Sequence, residues 1–190
     1  MIYTDKIQKA IKFAIKTHEV YQKQKRKGKD VPYITHPLTA GLILARAGAS
    51  DDVVAAGILH DTIEDSSPGK RVTREMIAER FGEEVAELVD SVTEKDKDAS
   101  WGERKSEALE HIKTFSHGSV LVKSADVISN VSEILDDHAT VGEEVWKRFS
   151  MPKEKVVKNY LRVIAALVTL WPKSPLSEDL PILADKLRTL

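Results

Sequence analysis

The sequence predicts an all-α protein, and three observations support that prediction. Apolar residues recur at intervals of three and four through almost every segment, which is the spacing of one helix face. Capping residues, glycines and prolines separate these segments, and no segment alternates apolar and polar residues as a strand does. With 190 residues, of which 42% are hydrophobic, the chain can bury a sizeable core. We therefore expect a single domain over residues 1–190, built from about eight to ten helices.

Capping residues and glycines predict where the helices begin and end. Thr4 suits the N-cap of the first helix, and Ser50 or Asp51 suits the N-cap of the helix that leads into the sequence's main cluster of ionisable residues. Gly48 and Gly82 follow apolar helical stretches and are predicted to end them. The other helices are predicted over residues 38–47, 73–81, 83–92, 101–115, 119–135, 154–170 and 180–187.

Three segments have a more specific prediction. The segment 93–100 is highly charged and poor in apolar residues, which predicts a mobile loop. Asp136 and Asp137 are predicted to mark the end of the helix that begins at residue 119. The helix 154–170 has apolar residues nearly all round and is predicted to be the core helix.

Composition excludes several classes of function. The chain has no cysteine, so a bound metal must be held by imidazole and carboxylate groups. The formal net charge of −1 gives no argument for nucleic acid binding. The N-terminus has no long apolar run, and the apolar run 163–171 is about half the length that crosses a bilayer. We expect a soluble cytoplasmic protein without a membrane partner.

The stretch 57–65 concentrates the chemistry of the chain. An apolar helical run leads directly into His60 and Asp61, and Glu64 and Asp65 follow three residues later. Burying unpaired ionisable groups is costly, so such a cluster behind apolar residues indicates use. If the helix continues, Glu64 shares a face with His60 and Asp61, and Asp65 shares one with Asp61.

Two further residues are candidates to complete a metal site with His60 and Asp61. Pro32 and Pro37 bracket the stretch that ends in His36, and the residue before a proline is pushed away from helical backbone. We therefore expect His36 on an extended or turn backbone with a fixed direction. Asp126 follows a largely apolar helical run. Two imidazoles and two carboxylates suit Mn²⁺ or Fe²⁺, with Zn²⁺ as an alternative.

Simpler interpretations stand beside these. A His-Asp pair on a helix is more often a hydrogen-bonded surface pair, and a run such as Lys25-Arg26-Lys27 is often a solvated loop. We interpret Arg104 and Lys105 as an exposed helix face, with a lid as the alternative. The remaining histidines lack clustered carboxylates and are interpreted as structural or solvated: His18, His111, His117 and His138.

Several motifs together resemble a known family. His36-Pro37, His60-Asp61, Glu64-Asp65 and Asp126 followed by Asn130 resemble the HD superfamily of metal-dependent phosphohydrolases. The longer motifs are similar to the hydrolase domain of RelA/SpoT-type alarmone enzymes and to small stand-alone alarmone hydrolases. The resemblance runs in order over residues 10–135, ahead of predicted C-terminal helices in 140–190. These longer motifs are Tyr33-Ile34-Thr35-His36-Pro37-Leu38, Leu59-His60-Asp61-Thr62-Ile63-Glu64-Asp65, Phe81-Gly82-Glu83-Glu84-Val85 and Val122-Lys123-Ser124-Ala125-Asp126.

The resemblance implies an HD-type helical bundle and a role for each motif residue. It implies the metal ligands His36, His60, Asp61 and Asp126. It implies that Glu64 and Asp65 act on the water, that Arg26 and Lys27 face substrate phosphate or base, and that Asn130 contacts the nucleotide. The implied reaction is hydrolysis of the 3′-pyrophosphate of guanosine 3′,5′-bis(diphosphate), ppGpp, with Mn²⁺.

The sequence also departs from the family pattern. Val127 and Ser132 stand where the alarmone hydrolases usually have basic residues, and Ser129 replaces a usual histidine or tyrosine. Two alternatives therefore stay open: another nucleotide phosphohydrolase or nucleotidase of the superfamily, and a nucleotide-binding module without catalysis. A synthetase domain is not expected, a phosphorylated nucleotide is the expected partner, and the oligomeric state is open, with a homodimer as one alternative.

Overall fold

The computed structural model describes residues 3–94 and 99–190 of the chain. In those residues the backbone forms nine α-helices, which confirms the all-α prediction, and the only extended pairing is a single bridge between Lys25 and Pro32. The predicted mobile loop 93–100 includes residues 95–98, which lie outside the described residues. The helices are α1 Asp5–Ile15, α2 Thr35–Arg46, α3 Asp51–Leu59, α4 Arg74–Phe81, α5 Glu83–Val92, α6 Trp101–Ile112, α7 His117–Val141, α8 Lys153–Leu170 and α9 Asp179–Arg188.

Most helix starts follow the capping chemistry of the sequence. The side chains of Thr4, Ser50, Thr73 and Ser116 each accept a hydrogen bond from the backbone N–H three residues later. Such a bond satisfies one of the donors that a helix N-terminus leaves open. Ser100 forms a full capping box with Glu103 at the start of α6.

The core helix is α3 and not α8, which corrects the sequence prediction. Every residue from Val53 to Leu59 is buried, whereas α8 buries only one side, through Val156, Val163, Ile164 and Leu167. α3 packs against α1, α2, α5 and α7, so it is covered on all sides. A short apolar run with alanines and a glycine suits that position, because small side chains let four neighbours approach.

α7 is longer than predicted at both ends. It begins after Ser116 instead of at residue 119, and it continues through Asp136 and Asp137 to Val141. Asp137 does not end the helix because its carboxylate is paired with Lys29 and Arg148. α7 contacts α2, α3 and α5 as well as α8 and α9, so it lies between the main core cluster and the C-terminal helices.

His36 lies on helical backbone, which corrects the prediction of an extended or turn conformation. It is the second residue of α2, and Pro37 is the third. A proline is tolerated in the first turn of a helix because the N–H it lacks has no intrahelical partner there. The direction of His36 is therefore fixed by α2 itself.

The polar run after α1 forms an ordered connection. Residues Lys16–Tyr21 form a π-helical turn, and the chain then turns back on itself over residues 24–33. Within this loop 24–33, the Tyr33 N–H donates to the Gln24 carbonyl at 2.9 Å and the Arg26 N–H donates to the Val31 carbonyl at 2.9 Å. Gly28 has φ +66°, and a Cβ there would lie 2.7 Å from the side chain of Arg148.

Ion pairs hold loop 24–33 against α7. Arg26 pairs with Glu133 at 2.8 Å, and Lys29 pairs with both Glu133 at 2.5 Å and Asp137 at 2.7 Å. Arg148 pairs with the same Asp137 oxygen, Oδ2, at 2.6 Å. The loop is therefore fixed beside the helix that carries Asp126.

No helix in the described part of the chain is long and apolar enough to span a bilayer.

Candidate active site

His60 and Asp61 lie where α3 ends. The regular helix stops at Leu59, His60 is its C-cap, and residues 61–65 continue as a tight turn. The Thr62 N–H donates to the Leu59 carbonyl and the Asp65 N–H donates to the Asp61 carbonyl, each at 2.9 Å. The regular helix that would have aligned Glu64 and Asp65 with His60 and Asp61 is therefore absent, and a turn carries Glu64 and Asp65 instead.

The two imidazoles meet in the interior. His36 and His60 are 2% and 4% exposed, and their Nε2 atoms are 3.1 Å apart. The Nδ1 atom of His60 donates to the Gly57 carbonyl at 2.7 Å, and that of His36 is 2.9 Å from the Ser129 hydroxyl. With both Nδ1 atoms engaged, each Nε2 atom is directed into the space between the rings.

Two carboxylates face the same space. Asp61 Oδ2 is 3.1 Å from His60 Nε2 and 3.5 Å from His36 Nε2. Asp126 Oδ1 is 3.4 Å from His36 Nε2 and 3.8 Å from His60 Nε2. One ligand atom each from His36, His60 and Asp126 lie within 4.8 Å of one another, which makes these three a candidate metal site, with Asp61 directly beside it.

The electrostatics of this cluster favour a positive charge at its centre. Burial opposes ionisation of His60, but Asp61 and Asp126 outweigh it and raise its pKa to about 9. Burial would also raise the pKa of Asp61 and Asp126, yet His60, His36 and Lys123 hold both below the ordinary range. The site therefore offers two nitrogen and two oxygen donors around one point. Such a mixed donor set fits a divalent metal ion.

Both carboxylates are held by neighbours that the sequence analysis did not single out. The Tyr33 hydroxyl donates to Asp61 Oδ2 at 2.5 Å, and Lys123 Nζ donates to Asp126 Oδ2 at 2.8 Å. The predicted substrate residue Asn130 donates to Asp126 Oδ1 at 2.6 Å. Lys123 was detectable in the sequence, since it lies one helical turn before Asp126. Nothing in the sequence alone pairs Tyr33 with Asp61.

Glu64 and Asp65 have different surroundings. Glu64 Oε2 accepts the backbone N–H of Glu94 at 3.2 Å, and Glu64 lines the cavity beside the metal ligands. Burial, followed by the charge of Asp61, raises the pKa of Glu64 to about 7. Asp65 is not among the residues that line this cavity, and its Oδ2 accepts a hydrogen bond from Gln24 at 2.9 Å. The two carboxylates therefore have distinct positions.

A cavity of about 280 Å³ opens from His36, Asp61 and Asp126. Five cations line it, and four of these have a carboxylate partner. Lys27 makes no ion pair with any described residue, and its Nζ lies over the Phe149 ring at 5.8 Å. The five cations are Arg26, Lys27, Lys105, Lys123 and Arg148.

Arg104 and Lys105 do not form the exposed helix face that the sequence suggested. Their side chains are 27% and 28% exposed, and both pair with Glu94. Lys105 lines the cavity beside the predicted metal ligands, and Arg104 lines an adjoining cavity of about 340 Å³ between α5, α6 and α7. None of the four predicted metal ligands lines the larger cavity, whereas His36, Asp61 and Asp126 line the smaller one.

The fold and the site together define a protein that is helical throughout its described residues, with a buried cluster of histidines and carboxylates, a candidate metal site, at the end of α3. A family model with the description "HD domain" matches residues 10–150 of the chain. That match covers most of the chain, and the chain belongs to the HD domain family.

Similar proteins agree with this assignment. A guanosine-3′,5′-bis(diphosphate) 3′-pyrophosphohydrolase of Aquifex aeolicus is 34% identical over 168 residues, which are 87% of this chain and 21% of the relative. The chain thus spans about a fifth of that protein. The MESH1 enzyme of the same name from Xenopus tropicalis is 36% identical over 67% of this chain and 69% of the relative.

A solved structure has the same fold. It is described as a metazoan ortholog of SpoT that hydrolyzes ppGpp and plays a role in starvation responses. It superimposes with a TM-score of 0.77 at 22% identity and covers 98% of each chain. At that identity the likeness establishes the shared fold.

Proposed function

We propose that this protein is a metal-dependent hydrolase that removes the 3′-pyrophosphate of ppGpp, as the names of its relatives state for those proteins. The observation that carries the proposal is a buried His-His-Asp cluster that opens onto a cavity lined by five cationic side chains. A substrate with two diphosphate groups needs cations beyond the metal ion, and this cavity supplies them.

His36, His60, Asp61 and Asp126 would hold the metal ion. The mixed nitrogen and oxygen donors favour Mn²⁺, and Fe²⁺ or Zn²⁺ also suit them. When bound, the ion supplies Lewis acidity at the phosphoryl group and makes a water molecule acidic enough to attack near neutral pH. Ser129 and the Gly57 carbonyl would keep the Nε2 atoms of both histidines available, so Ser129 takes a useful role although it departs from the family pattern.

Glu64 is our choice of proton acceptor for the attacking water. It lines the cavity, and a pKa of about 7 lets it accept a proton and release it again near neutral pH. Water attacks the phosphorus bonded to the 3′ oxygen, the bond to that oxygen breaks, and the 3′ oxygen takes a proton. The products are GDP and pyrophosphate. Asp65, the second predicted catalytic carboxylate, does not line the cavity and accepts a hydrogen bond from Gln24.

Arg26 and Lys27 would bind the phosphates or the base of the nucleotide. Lys27 is the cation best placed to take a phosphate, since no described carboxylate competes for it. Arg26 lies over the Tyr33 ring at 5.3 Å and donates to Asn130 at 2.7 Å, which links it to the helix that carries Asp126. Asn130 would contact the nucleotide from the same position.

The test is product release from a panel of nucleotides with Mn²⁺. We expect GDP and pyrophosphate from ppGpp, and an Asp61→Ala variant should lose at least about a hundredfold in kcat. Asp136→Ala, an exposed carboxylate on α7, is the matched control and should keep full activity. If no 3′-pyrophosphorylated nucleotide is cleaved, the ppGpp proposal is wrong. Release of phosphate from nucleoside monophosphates would then identify a different phosphohydrolase of the same family.

A further inference from the structure

Loop 24–33 is joined to the turn 60–65 at two points, and both contacts lie at the base of the loop. At the start of the loop, Gln24 Nε2 donates to Asp65 Oδ2 at 2.9 Å. At its end, the Tyr33 hydroxyl donates to Asp61 Oδ2 at 2.5 Å. The two acceptors are themselves linked, because the Asp65 N–H donates to the Asp61 carbonyl at 2.9 Å.

The remaining link closes a ring of hydrogen bonds. The Tyr33 N–H donates to the Gln24 carbonyl at 2.9 Å, so the two donors are joined by backbone just as the two acceptors are. Moving either end of the loop relative to the turn 60–65 breaks at least one of these four hydrogen bonds. Part-buried bonds of this kind are costly to break without a replacement partner.

The Gln24 amide lies between His18 and Asp65. The His18 ring is fully buried in the π-helical turn, and its Nδ1 lies 2.9 Å from Gln24 Oε1. An ionised carboxylate only accepts hydrogen bonds, so the Gln24 NH₂ group must face Asp65 and the carbonyl must face His18. The His18 ring also packs on Tyr33 with centroids 5.1 Å apart. The buried His18 thus contacts both side-chain donors, Gln24 and Tyr33.

We propose that Gln24 and Asp65 form a clasp that positions the phosphate-binding loop 24–33 against the turn that carries His60 and Asp61. Gln24 is then a positioning residue for Arg26 and Lys27, which follow it by two and three residues. The absence of Asp65 from the cavity lining and its bond to Gln24 fit this role. The inference rests on the proposed function only in that Arg26 and Lys27 bind the substrate.

The first measurement uses the metal-free protein and does not depend on activity. Amide hydrogen exchange at Arg26 and Tyr33 reports whether the loop is closed, since both N–H groups donate across it. Gln24→Met, which keeps the length of the side chain and removes its hydrogen bonds, should speed exchange at both amides by about tenfold or more. Asp65→Ala should do the same, whereas Asp65→Asn should retain protection because its amide oxygen still accepts from Gln24.

A matched control separates the clasp from a general loss of packing. Gln22→Met makes the same change two residues earlier, at a side chain whose Nε2 has no hydrogen-bond partner among the described residues. It should leave exchange at Arg26 and Tyr33 within about twofold of wild type. If Gln22→Met opens the loop as much as Gln24→Met, the specific bond to Asp65 is not responsible and the proposal is wrong.

The second measurement uses the enzyme with Mn²⁺ and ppGpp. Gln24→Met should raise KM by about tenfold with kcat within about threefold, because the loop binds substrate and the metal ligands are unchanged. In an Asp65→Ala background, Gln24→Met should add less than about twofold, since the clasp is already open. Multiplying effects, or a fall in kcat at constant KM, would overturn the proposal. If wild type does not cleave ppGpp, the ppGpp function fails while the exchange data still decide the clasp.

Discussion

At the scale of single residues, the side chains of the candidate site are held in place by hydrogen bonds from neighbouring side chains. Ser129 holds His36, Lys123 and Asn130 hold Asp126, and Tyr33 holds Asp61. The residues that carry the chemistry were predictable because they are ionisable groups next to apolar runs. Ser129 and Tyr33 were not predictable as supports of these residues, because a serine or tyrosine that bonds a residue distant in sequence looks like any other polar residue.

The pH dependence of the reaction should report the protonation of the Glu64 carboxylate. Its pKa is raised to about 7, first by burial and then by the charge of Asp61, whereas the hydrogen bond from the Glu94 backbone N–H works against this rise. Because a base must be deprotonated, kcat/KM should fall as the pH drops below about 7, and the charge of a bound metal ion shifts this limb downward. Glu64→Gln should remove the limb and lower the rate by about a hundredfold or more. An unchanged acid limb in Glu64→Gln would show that another group is the base.

At the scale of elements, the close approach of α2 and α3 places the two histidines. A Cβ on Gly57 would lie 2.2 Å from Leu44 of α2, and a Cβ on Gly41 would lie 2.5 Å from Ile58 of α3. The two glycines thus let the helices touch where a larger residue would separate them. His36 at the start of α2 and His60 at the end of α3 meet because the helices are this close.

Substitution of Gly57 tests this packing. Gly57→Ala should be less stable than a matched Gly102→Ala variant by about 1–3 kcal/mol, because Leu44 is fully buried and must move to make room. Gly102 lies in α6, and a Cβ there would meet nothing within 4 Å, so alanine should stabilise by about 0.5–1 kcal/mol through helix propensity. Urea unfolding of both variants measures the difference. Equal stabilities would show that the core absorbs the methyl group at Gly57.

The elements themselves were largely predictable, and the exceptions have physical causes. Capping residues and glycines predicted most boundaries because they satisfy backbone groups locally. The extension of α7 past Asp136 and Asp137 was missed because Asp137 is neutralised by Lys29 and Arg148 from other parts of the chain. The identity of the core helix was missed for a similar reason, since burial of α3 depends on four neighbours.

At the scale of the whole molecule, the candidate site joins parts of the chain that are far apart in sequence. His36 belongs to α2, His60 and Asp61 to the end of α3, and Asp126 to α7. The membership of each residue in the site was predicted from motif resemblance, whereas the distances between them required the fold. A metal ion bound at this junction should therefore stabilise the whole structure.

Removal of the metal ion measures that stabilisation. At a Mn²⁺ concentration of about 100 times Kd, binding adds about 2.7 kcal/mol, which for a domain of this size is a Tm change of about 5–10 °C. A chelator should lower Tm by that amount in wild type and in Asp136→Ala. In Asp126→Ala the chelator should have almost no effect, since one ligand is missing. A chelator effect of full size in Asp126→Ala would place the ion elsewhere.

The contact between His36 and Ser129 spans 93 residues of sequence, and this separation sets an order of assembly. α2 and α3 are neighbours in the chain and can dock early, but the ligand set is incomplete until α7 packs across them. An ion bound at this site would therefore recognise a structure that forms only late in folding. Its binding energy should appear mainly as slower unfolding, with little change in the folding rate, because interactions absent from the transition state act on unfolding. In a cell, the ion would then extend the lifetime of molecules that are already folded and do little to help new ones fold.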